Sequence, residues 1–207
     1  MMNNIEKEKY LHKEFRTIFI TIVTCCYDLF WSIFQCVLTF KTGSLLFLAS
    51  SLFSFMHLIS KVLCLIAIKS SNSKVSHSLV RVVSALIILS GIFYMNYVLR
   101  VSNGEKLMDL EFWVYLAVSV FSTICMVMSL ISIFKIEGTG DAYKTMKTMS
   151  CINTTSQFIL ALFTILIYRK EALNSLVFSI IGVSMGMITI FLGIYNFVRI
   201  KVYNLPK

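Results

Sequence analysis

The chain has 207 residues, of which 57% are hydrophobic and 14% charged, with a single proline and a formal net charge of +9. A soluble domain lies near half apolar and a quarter charged, and a mean hydropathy of +0.82 moves this chain further from that class. These values exclude a water-soluble enzyme, a nucleic-acid-binding module and a disordered chain.

A membrane-crossing helix needs about 20 predominantly apolar residues. Residues 1–16 are too polar for that and read as a cytoplasmic N-terminal segment. The first span is predicted at 17–40. It is too long for a cleaved signal peptide, carries Asp28 at its centre and lacks a small-residue cleavage site. The second, at 45–68, has His57 at its middle and Lys61 one turn further on. The third and fourth fall at 79–99 and 112–134, the fifth at 148–168 and the sixth at 173–198, leaving 199–207 as a short cytoplasmic tail. The expectation is an all-α integral membrane protein whose six-helix transmembrane domain is 17–198, with no room for a second soluble domain. Pro206 lies in the tail, so no proline is available to break a span, and six continuous helices are expected.

Basic residues flank the spans unevenly. Thirteen lie on one side: Lys7, Lys9, Lys13, Arg16, Lys69, Lys74, Arg81, Lys135, Lys144, Lys147, Arg199, Lys201 and Lys207. The other side has Lys41, Arg100, Lys106, Arg169 and Lys170. Cytoplasmic loops carry the Lys/Arg excess, so both termini are expected in the cytoplasm of a multi-pass plasma-membrane protein. Along the sixth span Ser175, Ser179, Gly182, Gly186, Thr189 and Gly193 lay one smooth stripe, a surface for close helix packing.

An ionisable side chain at mid-membrane costs about 2.5–3.5 kcal/mol on insertion scales, so it faces the bundle interior and has a partner. Asp28, His57 and Lys61 meet that description, and Ser50, Ser54, His57 and Lys61 share one helix face by their spacing. The fifth span opens with a polar half that contains Thr148, Ser150, Asn153, Thr154, Thr155, Ser156 and Gln157. Two polar stripes imply a hydrated cavity between the second and fifth spans, open to the cytoplasmic side. Two readings follow: a structural Asp28–Lys61 ion pair with hydroxyls bonded back to their own helices, or a binding or proton-handling cavity. The candidate residues are Asp28, Ser50, Ser54, His57, Lys61, Thr148 and Asn153.

Cys25, Cys26, Cys36, Cys64, Cys125 and Cys151 all lie within spans and form no C-x-x-C pair, so they read as small apolar side chains. His57 and Cys64 are seven residues apart, about 10.5 Å along a helix. A nucleophile and its base need about 3 Å. Neither an enzyme nor a cofactor is therefore expected.

The stretch TGSLLFLASSLFSFMHLISKVLCLIAI, beginning at Thr42, resembles the second-span signature of the cation diffusion facilitators, which typically runs like TGSLALLADALHSLSDVLA. Thr42-Gly43-Ser44, Leu48-Ala49 and Ser54 match outright. Ser76-His77-Ser78 and Arg81 before the third span, the polar start of the fifth and the small residues of the sixth follow the family's layout. The resemblance implies a facilitator-like bundle with both ends inside, and a homodimer. In that family, His/Asp pairs from the second and fifth spans hold a divalent metal. Here those positions fall on Phe53 and His57, and on Thr148 and Ile152 or Met149 and Asn153, while the acidic position of the family's LLAD falls on Ser50. Only His57 remains as a weak metal ligand, and the Lys61 ammonium one turn away would repel a divalent ion. The resemblance thus implies the fold without the zinc chemistry.

The expected function is that of a transporter-like protein embedded in the lipid bilayer, acting on a small solute or ion, with no nucleic-acid partner. The alternative is a non-transporting membrane subunit: a regulatory, immunity or substrate-capture component of a larger transporter.

Overall fold

A computed structural model describes residues 4–70, 72–102, 111–138, 140–168 and 175–202. Within them the chain forms six helices and no strand: α1 (Asn4–Thr42), α2 (Leu45–Lys69), α3 (Ser73–Ser102), α4 (Phe112–Lys135), α5 (Asp141–Tyr168) and α6 (Ser175–Val202). Five are long and apolar enough to cross a membrane, over Lys13–Thr42, Leu46–Lys69, Ser73–Asn96, Phe112–Lys135 and Ser179–Ile200. This is the pattern of a multi-pass membrane protein. Lys106, Arg169, Lys170, Pro206 and Lys207 lie outside the described residues, as does the predicted start of the sixth span.

The helices overrun the apolar segments that predict them. Residues 4–16 continue without a break into α1 rather than forming a separate segment, α3 starts at Ser73 rather than 79, and α5 at Asp141 rather than 148. Hydropathy marks only the part of a helix that meets lipid. The backbone ladder continues until something stops it, and these flanks contain no proline.

The connections that can be described are short. Between α1 and α2, Gly43 adopts φ +66°, a left-handed conformation that costs other residues about 1–2 kcal/mol. Its N–H still closes on the Thr39 carbonyl at 2.8 Å, and the Thr42 hydroxyl both donates to Leu38 O and accepts from the Ser44 N–H. Asn72 starts α3, its side-chain oxygen accepting the Lys74 N–H at 3.0 Å.

The pairings alternate in direction. Asp28 meets Lys61 while Gln35 meets Ser50, and Thr17 meets Glu137 while Asp28 meets Cys125, so α1 is antiparallel to α2 and α4. In α6, Gly182 faces Val98 and Gly193 faces Ser84, so α6 is antiparallel to α3. Helices α1, α2, α5 and α4 pack around a common interior, and the α3–α6 pair lies against α2 and α5. Of all the helices α5 is the most enclosed, touching α2, α3, α4 and α6. A helix shielded from lipid by its neighbours can carry polar residues, which explains the composition of its first half.

The small-residue stripe of α6 serves packing. A Cβ on Gly186 would lie 3.1 Å from the Gly91 carbonyl, and one on Gly193 would lie 3.1 Å from the Ser84 carbonyl. Apolar side chains such as Phe19, Phe30, Ile33, Val120 and Phe191 face outward. One end of the bundle collects Lys13, Arg16, Lys69, Lys74, Arg81, Lys135, Lys144, Lys147 and Arg199, because the starts of α1, α3 and α5 meet there with the ends of α2, α4 and α6.

Candidate functional site: a polar core at mid-bundle

Each of the four helices around the interior contributes a polar stripe at helical spacing. On α1 it is Asp28, Ser32 and Gln35; on α2, Ser50, Ser54, His57 and Lys61; on α4, Ser122, Cys125, Ser129 and Ser132; and on α5, Asn153 and Gln157. All of these are buried. Spacing of three and four puts each set on one helix face, and packing turns those faces together.

The deepest layer is charged. The Lys61 ammonium forms a salt bridge to Asp28 Oδ2, with the two side chains 3% and 4% exposed. The other carboxylate oxygen, Asp28 Oδ1, is approached by Cys125 Sγ at 3.8 Å. Asn153 Nδ2 lies 3.6 Å from that sulfur and donates to Ser129 Oγ at 2.8 Å. One chain of polar contacts therefore joins α2, α1, α4 and α5. Isolated buried ions carry a desolvation cost of several kcal/mol each, and the pair offsets it only while both partners are present.

Neighbouring layers are neutral. Trp31 Nε1 donates to Gln157 Oε1 at 3.1 Å, and its ring packs on Phe34 and Phe121. Ser32 and Ser51 each donate to the other's backbone carbonyl, at 2.9 and 2.8 Å, which draws α1 and α2 close. Gln35 Nε2 donates to Ser50 Oγ at 2.7 Å, and Ser54 Oγ donates more weakly to Gln35 Oε1.

His57 differs from the rest. It is 2% exposed and its ring centroid lies 4.4 Å from that of Phe53, yet neither ring nitrogen has a partner among the described residues. Buried polar atoms are ordinarily bonded, so an imidazole held this way is a conspicuous exception. It sits one turn from Lys61 on the same face of α2.

Six of the seven sequence candidates, Asp28, Ser50, Ser54, His57, Lys61 and Asn153, thus lie buried in the four-helix interior. Thr148 does not join them: it is only partly buried, and its hydroxyl donates back to the Lys144 carbonyl of its own helix. The polar half of α5 divides by face, with Asn153 and Gln157 inward and Thr155 outward, bonded to Cys151 O. Trp31, Gln35, Cys125 and Ser129 escape the sequence reading as members of the core. Their spacing was a usable signal, since Gln35 lies two turns from Asp28 and Ser129 one turn from Cys125. Among the described residues no three His, Cys, Asp or Glu side chains converge as a metal-holding set. A cleft opens at the basic end of the bundle, between α2, α3 and α5, but neither His57 nor Lys61 lines it.

Compared with protein-family models, with curated proteins and with solved structures, the chain finds no match in any of the three.

Chemically, the core pairs a carboxylate with a cation fixed to the chain. A divalent ion approaching Asp28 would have to displace the Lys61 ammonium, which repels it.

Proposed function

We propose that this chain is a transporter-like membrane protein with a bundle of the cation-efflux type, in which the Asp28–Lys61 pair stands in place of a metal site. The six helices, α5 included, cross the plasma membrane, with both ends in the cytoplasm and no enzymatic activity. The one observation that carries the reading is the buried chain of contacts Lys61–Asp28–Cys125–Asn153, which places an ion pair at the centre of the polar core and links four helices. An ionisable residue within the membrane is by default a functional-site hypothesis, because charges kept there mark solute paths and proton relays. Two further features support it: α2 packs on α5, the two helices that carry the site in the family the sequence resembles, and the basic residues gather at one end as the Lys/Arg bias of cytoplasmic loops requires.

In this reading the path takes protons through His57, or an anionic or zwitterionic solute attracted by Lys61. Proteoliposomes loaded with a pH-sensitive dye test it. Wild-type protein should dissipate an imposed pH gradient faster than empty vesicles, and His57→Ala should reduce that excess at least tenfold while leaving the protein folded. If His57→Ala and Lys61→Ala both match wild type for protons and for a panel of small anions, the reading fails. The tight closure around the ion pair favours a second reading, a non-transporting subunit of a larger assembly; stoichiometric co-purification of an ATPase or coupling subunit would establish it.

A further inference from the structure

A cleft of about 570 Å³ lies at the basic end of the bundle, walled by the end of α2 and the starts of α3 and α5. That volume is within the range of small-ligand sites, about 300–1,000 Å³. Its floor is apolar: Ala67, Val80 and Ala142 are buried and form one cluster with Ile200 of α6. Its walls are polar, carrying Ser70, Ser73, Ser76, His77, Asp141 and Lys144. The apolar spans of α2 and α3 end and begin here, at Lys69 and Ser73, so the cleft sits where a bilayer's headgroups would lie.

The charge balance favours an anion. Asp141 is already matched, with Arg199 Nε 3.6 Å from one carboxylate oxygen and His77 Nε2 3.7 Å from the other. Lys144 then remains as a positive charge on the wall, and Lys69, Lys74 and Arg81 lie close by in sequence on the same helix ends. A site with an apolar base and with hydroxyl and ammonium donors on its walls suits an amphiphile or an oxyanion. Basic pockets between membrane helices hold anionic headgroups in this way.

We propose that this cleft binds a phosphate group, presented either by an anionic lipid headgroup or as the free ion. The site is independent of the mid-bundle core and of what that core transports.

Native mass spectrometry of the purified full-length chain tests it, with phosphatidylglycerol and phosphatidylcholine offered in equal amounts and inorganic phosphate added as competitor. Wild type should retain phosphatidylglycerol in preference, and Lys144→Gln should weaken retention about fivefold, the effect of one basic residue at an anionic surface. His77→Gln should weaken it as well, while Lys41→Gln, at the opposite end, should change nothing. Competition by millimolar phosphate would identify the free ion as the ligand, and indifference to it the lipid headgroup. The proposal is overturned if neither species binds, if Lys144→Gln and His77→Gln bind as wild type does, or if Lys41→Gln weakens retention equally.

Discussion

The most consequential residues are the two that carry opposite charge inside the bundle. Removing one partner of a buried pair leaves an uncompensated ion, a loss of about 3–5 kcal/mol where it has been measured, whereas replacing both by apolar groups is often neutral. Lys61→Met should therefore destabilise the protein by about that amount in detergent unfolding experiments, and the double replacement Asp28→Leu/Lys61→Met should recover most of it. A double variant as unstable as the single would mean that Asp28 and Lys61 act apart. At the bundle's end, Lys13 Nζ lies 2.9 Å from Glu137 Oε2, and that bond holds the Glu137 carboxyl below its ordinary range. Because the folded value is depressed, whatever this contact adds to stability is present above the unfolded carboxylate pKa, about 4.3, and disappears as pH falls through the folded one. An NMR titration should show the Glu137 midpoint rising in Lys13→Gln, and an unmoved midpoint would exclude the pairing. Of these interactions only Asp28–Lys61 is legible in the sequence, because a charge in an apolar run announces itself. Trp31–Gln157 and Asn153–Ser129 join uncharged residues on different helices, and nothing in the local pattern of either partner names the other.

Among the helices, the α3–α6 pair shows how a sequence stripe becomes an interface. A Cβ placed on Gly91 would meet the Gly186 carbonyl oxygen at 2.9 Å and the Ile190 nitrogen at 3.2 Å. Both are backbone atoms, so the helices themselves must separate. Gly91→Ala should accordingly cost about 1–3 kcal/mol through overpacking, whereas Gly140→Ala, whose added carbon would have only Tyr143 Cδ2 at 3.6 Å, should be near neutral. Equal thermal stability of the two variants would show that the close approach of α3 and α6 contributes little. The α6 side of this interface is evident from spacing alone, since Gly182, Gly186 and Gly193 share a face. Gly91, its counterpart on α3, stands without a repeat and is not. Helix α5 is the reverse case. Its polar first half is plain in the sequence, but which residues turn inward depends on its position among four neighbours, and so Thr148 is misplaced while Asn153 is not.

For the whole molecule, all-helical membrane architecture follows directly from hydropathy, and the gathering of basic residues at one end of the described structure matches the flanking pattern that predicts it. What hydropathy cannot supply is the arrangement in which α1, α2, α4 and α5 enclose the polar core, since that depends on side chains meeting across helices. If this core works through a cation tethered to the chain and not through a bound metal, whole-cell accumulation over divalent metals, measured with and without the gene, should show unchanged zinc, manganese, cobalt and cadmium content. The same cells should show a change in cytoplasmic pH, or in a small anionic or zwitterionic solute, that His57→Ala and Lys61→Ala abolish. A gene-dependent change in a divalent metal that survives both substitutions would rule out this mode of action.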